Sequence, residues 1–260
     1  MKHLKSTLDD LHYMFDRSIT VRTLAEYLAS FDDTQQAHVV REFMQAQDYD
    51  VVGVRSKGLV VGYVSRAMMP GGILSDHLMP FEVQVQFDEA SPLLDALVGL
   101  ERSSQIFVTV MGQVWGIVTR GDLQKAPIRM WLFAVLSLVE MQFLRLIRAS
   151  FPRDSWKSLI SPKRVKAAQR LFHERQGRNE AIGLADCLQF ADKRTIISKT
   201  HDLRSALGFR SCKKAEKALK ELEDLRNDLA HAQDIVTGRW PKLVELASTA
   251  ERLLKKCEEI

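Results

Sequence analysis

A pair of matching segments in the N-terminal half constrains the fold of this chain more than any other feature. Val54–Arg66 aligns without gaps with Val108–Arg120. Each segment carries two glycines at matching positions, and each ends in a hydroxyl residue followed by arginine. Upstream, Phe31–Asp33 resembles Phe87–Glu89, at a slightly larger offset along the chain. A repeat of this kind predicts two copies of one structural unit.

The local pattern indicates what that unit is. Short β-branched runs such as Val51–Val54 predict strands, and helical periodicity fits Thr34–Gln47. A glycine in the middle of each matching segment predicts a hairpin turn. We therefore expect a strand–helix–strand–strand unit, present at about residues 15–70 and again at 80–126, in a domain of residues 1–126.

The second copy ends in Gly116–Leu123, which resembles the closing signature of CBS domains, and two such units resemble a CBS pair. The resemblance implies a cleft that binds an adenine nucleotide (AMP, ADP, ATP or a related molecule). It places the Thr119 hydroxyl on phosphate and the Asp122 carboxylate on the ribose hydroxyls. The first copy offers Ser65 but has Met68 at the aspartate position, so we expect at most one good site. A pair that only dimerises stays an alternative.

Charge and composition change at Pro127. Residues 1–126 carry 11 basic and 16 acidic side chains, a net charge of −5, whereas residues 127–260 carry 26 and 17, a net charge of +9. Strand signals nearly vanish after Pro127, which predicts an all-helical second domain joined through Gln124–Pro127. The expected helices cover about residues 129–150, 161–176, 183–198, 211–232 and 240–257. The fold class is therefore α+β.

One of these helices has the length of a membrane span, at Trp131–Ile147. Glu140, Gln142 and Arg145 interrupt it, and charges near the middle of a span are costly. The pattern favours a buried or interface helix in a protein without a membrane segment.

The cysteines and histidines indicate the compartment and give no sign of a metal site. Cys187, Cys212 and Cys257 form no CxxC pair, which predicts free thiols in a reducing compartment. The first ten residues become acidic before any apolar run, so we expect no signal peptide and a cytoplasmic protein. The histidines show no metal-ligand spacing.

The helix expected at 211–232 carries one polar motif. Arg226, Asn227 and His231 resemble the RxxxxH motif of HEPN domains, with a polar residue directly after the arginine. The resemblance implies a small helical bundle that forms homodimers and, in many members, a metal-independent ribonuclease. On an ideal helix Arg226 and His231 are separated by about 140°. They converge if the helix loosens after Leu229 or if a second chain supplies half of the site.

The first helix of the second domain also resembles HEPN domains. Leu138–Ile147 carries Glu140 and Arg145 between apolar residues, as that family's first helix often does. These two side chains either pair structurally or complete the active site.

The residue types suit RNA cleavage without a metal. The nucleophile is the 2′-hydroxyl of the RNA, His231 is a suitable base or acid, and Arg226 presents a charged fork to phosphate oxygens. Asn227 orients either group. The expected products are a 2′,3′-cyclic phosphate and a 5′-hydroxyl end.

A basic surface either follows an RNA backbone or is simply a solvated helix face. It comprises Lys163, Arg164, Lys166, Arg170, Arg175 and Arg178.

Together these features predict a nucleotide-regulated endoribonuclease, a toxin-like enzyme acting in stress or anti-phage defence. The alternative is a non-catalytic nucleotide sensor whose helical domain binds RNA or a protein. In that case Arg226 is a helix ion-pair partner and His231 favours the helix dipole.

Overall fold

The structure, a computed structural model, divides into two compact units, Met14–Ile128 and one that contains Arg129–Ile260. The residues it describes are Asp9, Asp10, Tyr13, Met14, and 18–178, 180–238 and 240–260.

The N-terminal unit contains the two predicted copies. Its elements are β1 Glu26–Tyr27, β2 Ser30–Asp32, α1 Ala37–Ala46, β3 Val51–Ser56, β4 Leu59–Ser65, β5 Met79–Pro80, β6 Gln86–Asp88, α2 Leu93–Arg102, β7 Gln105–Val110 and β8 Gln113–Thr119. The order β2–α1–β3–β4 recurs as β6–α2–β7–β8, which confirms the strand–helix–strand–strand unit.

The two unequal offsets in the sequence have a structural cause. From the first copy to the second, the first strand and the helix recur at a larger sequence offset than the hairpin does. The difference lies in the loop between helix and hairpin, which is Gln47–Asp50 in the first copy but only Ser103–Ser104 in the second. The first copy therefore carries a longer and more acidic loop.

The hairpin turns lie where the glycines predict them. Lys57 and Gly58 have φ angles of 52° and 82°, and Met111 and Gly112 have 49° and 76°. Two successive positive φ angles define a type I′ turn, whose twist matches that of the flanking strands. The register shift after Val54 recurs after Val108, so both copies share the same bulge.

Each copy lends a short strand to the sheet of the other. One sheet has the order β2-β3-β4-β5, and the other has β1-β8-β7-β6. Thus β1, which precedes the first copy, pairs with β8 of the second copy, and β5 pairs with β4 of the first. The sequence did not predict this exchange, because a two-residue strand carries no periodicity.

The second glycine of each repeat allows the exchanged strand to approach. Gly62 pairs with Pro80, and Gly116 pairs with Tyr27. A Cβ atom at Gly62 would overlap the carbonyl oxygen of Met79, and one at Gly116 would lie 3.1 Å from the carbonyl oxygen of Glu26. The repeated glycines are therefore required by close packing of backbone against backbone.

The C-terminal unit is helical. Its α-helices are α3 Ala126–Ser150, α4 Pro162–Gln176, α5 Phe190–Lys199, α6 His201–Ala206, α7 Cys212–Ala230 and α8 Trp240–Glu258. Shorter 3-10 segments cover Pro152–Leu159 and Leu184–Cys187.

Two boundaries in this part of the chain differ from the sequence expectations. The joining segment Gln124–Pro127 already belongs to α3 from Ala126 onwards, because proline is tolerated in a first helical turn. The helix expected at 183–198 is interrupted before Phe190. The Asp192 carboxylate accepts the Gln189 backbone N–H at 3.1 Å, which starts a new helix there.

Among the described residues, α3 alone is long and apolar enough to cross a membrane. About 56% of its most apolar stretch is buried within the protein, as in a core helix. Trp131, Val135, Val139, Phe143 and Ile147 are each no more than 2% exposed. The buried-helix interpretation agrees with this packing.

We expect Gly62→Ala to destabilise the protein by about 1–3 kcal/mol, because the new methyl group would push the exchanged strand away. Gly71→Ala is the matched control, because a Cβ atom there meets nothing within 4 Å. Urea unfolding measures both. A Gly62→Ala variant as stable as the Gly71→Ala variant would contradict the close approach.

Candidate functional site

The N-terminal unit contains a cleft of about 730 Å³ at the point where β4 and β8 end. Ser65 and Thr119, the last residues of these strands, occupy matching positions in the repeat and both line the cleft. Tyr27 and Tyr49 also line it, and these residues are 77% and 38% exposed. The cleft thus offers hydroxyl groups and aromatic rings to a small molecule.

Asp122 lies beside this cleft but is engaged within the protein. Its Oδ2 atom accepts the backbone N–H of Thr119 at 2.6 Å and the Thr119 hydroxyl at 2.9 Å. Its Oδ1 atom lies 2.6 Å from Nζ of Lys125, and the residue is only 8% exposed. Asp122 is absent from the residues that line the cleft. In this arrangement it caps a 3-10 turn, and ribose binding by Asp122 stays a prediction.

Lys125 joins that cap to the exchanged strand. Its Nζ atom donates to the carbonyl oxygen of Leu24 at 2.7 Å and lies 3.1 Å from Oε1 of Glu26. Burial alone would lower the pKa of Lys125, but its hydrogen bonds to Asp122 and Glu26 outweigh burial and raise the pKa. Lys125 is therefore held as a cation between the two copies.

Three carboxylates line the cleft, and each of them is ion-paired. Asp48 and Asp50, from the longer loop of the first copy, pair with Arg66 at 3.5 and 2.5 Å. Glu26 and Arg120 also line the cleft, and Nε of Arg120 donates to the carbonyl oxygen of Leu100 at 3.2 Å. Outside that lining, Met68 stands at the position where the second copy has aspartate, and it is 64% exposed. The first copy thus offers no acceptor at that position.

In the C-terminal unit, Arg226 lines a cavity of about 410 Å³ between α3, α5 and α7. The packing of α5 against α7 places its guanidinium 5.7 Å from the ring centre of Phe190. The Nε atom is buried and has no hydrogen-bond partner. A buried donor without a partner is uncommon and costly, so the Arg226 guanidinium is a candidate donor to an acceptor on a ligand.

The carboxylates that line this cavity are already neutralised. Glu140 accepts Nζ of Lys193 at 2.8 Å, and that lysine side chain is 7% exposed. Glu223 accepts Nη1 of Arg194 at 2.6 Å.

The third carboxylate, Asp186, is held by Arg148. In the part of the chain that the structure describes, no carboxylate pairs with Arg226. The cavity therefore presents one uncompensated positive charge, beside the Asn227 amide.

His231 lies just beyond the end of α7. The helix stops at Ala230, and Ala232 has a φ of 53°, so the helix does loosen after Leu229. His231 is exposed and is not among the residues that line the Arg226 cavity. Within one chain, the structure brings Arg226, Asn227 and Glu140 together in one cavity, without His231.

Arg129 stabilises this helix end, and sequence reasoning missed it. Its Nη1 atom donates to the carbonyl oxygen of Gln233 at 2.9 Å, and Nη2 donates to that of Leu229 at 3.3 Å. A cation at a helix C-terminus is favourable because it satisfies the last carbonyl groups. No sequence pattern connects positions so far apart in the chain, so only the fold reveals this contact.

Arg145 lies outside the cavity. Its guanidinium donates to Oε1 of Gln142 at 2.7 Å and to the carbonyl oxygen of Cys257. The sequence left open whether Glu140 and Arg145 pair structurally or complete the active site. These contacts of Arg145 are structural, whereas Glu140 both pairs with Lys193 and lines the cavity.

The cysteines do not supply a nucleophile to this cavity. Burial raises the pKa of Cys187, which lines the cavity, and raises that of Cys257 to about 12. A raised pKa keeps a thiol neutral near pH 7, and the thiolate is the reactive form. All three cysteines are free. Over the described ranges, no cluster of histidine, cysteine and acidic residues could hold a metal.

Two of the cations in the predicted basic surface are paired with carboxylates. Arg164 holds both carboxylate oxygens of Asp192, at 2.7 and 2.8 Å, and donates to Oε1 of Gln189 at 2.8 Å. Hydrogen bonding to Asp192 raises the pKa of Arg164. Arg175 pairs with Glu180 at 2.6 Å.

No protein-family model and no curated protein matches the chain. Several solved structures resemble its N-terminal part. An uncharacterized conserved protein from Pyrococcus horikoshii is 17% identical, with a TM-score of 0.37, over 41% of this chain and 90% of its own. The CBS-pair protein CBSX2 from Arabidopsis thaliana is 18% identical, with a TM-score of 0.38, over 43% of this chain and 95% of its own.

A third similar structure is the CBS domain of a bacterial CNNM/CorC family Mg²⁺ transporter in complex with ATP. It is 16% identical, with a TM-score of 0.37, over 45% of this chain and 91% of its own. These likenesses concern the fold alone. The N-terminal unit has the paired strand–helix–strand–strand topology, the C-terminal unit is helical, and the α+β class is confirmed.

We expect Arg164 and Arg226 to differ sharply in their contribution to stability. Arg164→Met leaves the Asp192 carboxylate, 4% exposed, without its cation and should lower the free energy of unfolding by at least about 2 kcal/mol. Arg226→Met removes a cation that has no ion pair and should change the free energy of unfolding by less than about 1 kcal/mol. Urea unfolding measures both. Equal losses would mean that Arg226 is structural.

Proposed function

We propose that this protein is a metal-independent endoribonuclease of the HEPN type, regulated by a nucleotide in the cleft of its N-terminal unit. The observation that carries the proposal is Arg226, an uncompensated cation facing a cavity whose carboxylates are already paired. A phosphate is the ligand that such a guanidinium fits best.

The reaction proposed is attack of the RNA 2′-hydroxyl on the adjacent phosphorus. His231 removes the hydroxyl proton as the bond from O2′ to phosphorus forms. Arg226 and the Asn227 amide hold the non-bridging oxygens, on which charge develops. The bond from phosphorus to O5′ breaks, and O5′ takes a proton from solvent. The products are a 2′,3′-cyclic phosphate and a 5′-hydroxyl end.

We further propose that two copies of the chain complete each site. His231 does not line the Arg226 cavity of its own chain, whereas the mechanism needs both groups at one phosphate. In a symmetric dimer, each chain can place its His231 at the Arg226 cavity of the other chain. The proposed setting is a cytoplasmic stress or anti-phage response.

We expect purified protein to cleave RNA in the presence of EDTA, and Arg226→Gln and His231→Ala each to lower the rate at least about 100-fold. His201→Ala is the matched control, because its side chain is exposed and pairs only with Asp202. Mixing the two inactive variants should restore about a quarter of the wild-type activity if sites form between chains. Cleavage unchanged in His231→Ala would contradict the assignment.

We also propose that the cleft binds an adenine nucleotide, with Tyr27 stacking on the base and Arg120 holding phosphate. The Thr119 hydroxyl joins Arg120 there by turning its proton from Asp122 to a phosphate oxygen. The carboxylates of Glu26, Asp48 and Asp50 line the same cleft, but they are paired with Lys125 and Arg66. The proposed ligand is therefore an adenine nucleotide of any phosphate number, AMP, ADP or ATP. Binding regulates cleavage only if the nucleotide prefers one activity state over the other.

We expect calorimetric titration with AMP, ADP and ATP to show binding of an adenine nucleotide. Tyr27→Ala should weaken AMP binding about tenfold or more, because stacking on the base is lost. Leu59→Ala is the control, an exposed apolar side chain that does not line the cleft. Unchanged nucleotide binding by the Tyr27→Ala variant would contradict the stacking role given to Tyr27.

A non-catalytic nucleotide sensor is the second candidate function. The separation of His231 from the Arg226 cavity within one chain favours it. In that case the cleavage assay shows no activity above that of the Arg226→Gln, His231→Ala double variant, while nucleotide binding persists.

A further inference from the structure

We propose that single-stranded RNA reaches Arg226 along a groove whose outer end lies beside three cations of α4. These are Lys163, Lys166 and Arg170, which we call the α4 cation row. The inference rests on the proposed RNA-cleaving function and adds the path of the substrate to it.

The first observation is that some basic residues of α4 have no ion pair. Arg164 and Arg175 are used by Asp192 and Glu180, as described above. The α4 cation row has exposed side chains, and none of its three members has an ion pair or hydrogen bond to a side chain of the described residues. Three uncompensated positive charges on one helix attract a polyanion.

The second observation is their alignment. Residues three and seven positions apart share one face of a helix, so Lys163, Lys166 and Arg170 form a row. At 1.5 Å per residue this row is about 10 Å long. A row of this length fits the backbone of a short RNA segment.

The third observation is that the row leads to Arg226. Arg170, the last cation of the row, lines a cavity of about 400 Å³ between α4 and α5, together with the exposed Glu174, whereas Lys163 and Lys166 lie outside this lining. This cavity and the Arg226 cavity share three lining residues, Leu171, Cys187 and Gln189. The two cavities therefore adjoin, and together they form a groove from Arg170, at one end of the α4 cation row, to Arg226.

The groove favours a single strand over a duplex. Arg226 lies at the inner end with its Nε atom buried, and a phosphate on the surface of a rigid duplex does not reach such a depth. Leu171 is 39% exposed at the junction of the two cavities and offers apolar surface to an unstacked base. An unpaired strand can turn its backbone inwards while its bases contact this surface.

The test measures binding separately from cleavage. A fluorescent 12-nucleotide RNA with 2′-O-methyl groups throughout has no nucleophile, so it reports binding alone. Its affinity is measured from low to high salt for the full chain and for the triple variant Lys163→Gln, Lys166→Gln, Arg170→Gln. A second triple variant, Lys213→Gln, Lys214→Gln, Lys217→Gln, carries the same charge change on exposed residues of α7 and is the matched control.

We expect the α4 triple variant to bind the RNA at least tenfold more weakly at 0.1 M salt. The slope of log affinity against log salt should become shallower by about 2, the value for three lost phosphate contacts on a single strand. The control variant should retain both the affinity and the slope, and the same RNA in a duplex should bind more weakly.

Equal effects of the two triple variants would overturn the groove, because net charge alone would then explain binding. The same holds if the wild-type protein does not bind the RNA. Loss of binding confined to the α4 variant supports the groove even where unmodified RNA is not cleaved. That combination would reject the proposed catalysis and keep the proposed path.

Discussion

The exchange of β1 and β5 between the two copies is the constraint on which the N-terminal unit depends. Each sheet is complete only with a strand from the other copy, so neither copy is a closed unit by itself. The exchange requires glycine at Gly62 and Gly116, where backbone meets backbone. It also brings Glu26 and Tyr27 of β1 to the ends of β4 and β8, which creates the cleft.

In the helical unit, pairing of charges decides which side chains are available to a ligand. The cations that Glu140, Glu223 and Asp192 hold are Lys193, Arg194 and Arg164. These pairs stabilise the walls of the two adjoining cavities and occupy these three carboxylates, while Glu174 lines the outer cavity beside Arg170. Ion pairing thus leaves positive charge at two places, Arg226 inside and the α4 cation row outside.

The sequence predicted the structure well where one turn, or one repeated pattern of residues, determines it. The glycines after Lys57 and Met111 predicted both hairpins, and the unequal offsets of the repeat reflect a loop of different length. Contacts between distant residues carried no such signal. The two-residue strands, the anchoring of the α7 end by Arg129, and the engagement of Asp122 by Lys125 appear only in the fold.

The sequence alone determined the repeat, the α+β class, the mainly helical second part and the spacing of Arg226 and His231, because these follow from periodicity and turn chemistry along the chain. The tertiary structure decided which of the basic residues are neutralised and which cavity each polar side chain enters. It placed Glu140 with Arg226 and separated both from Arg145 and from the His231 of the same chain. The physical reason is that burial and ion pairing depend on neighbours from other helices, which no local pattern records.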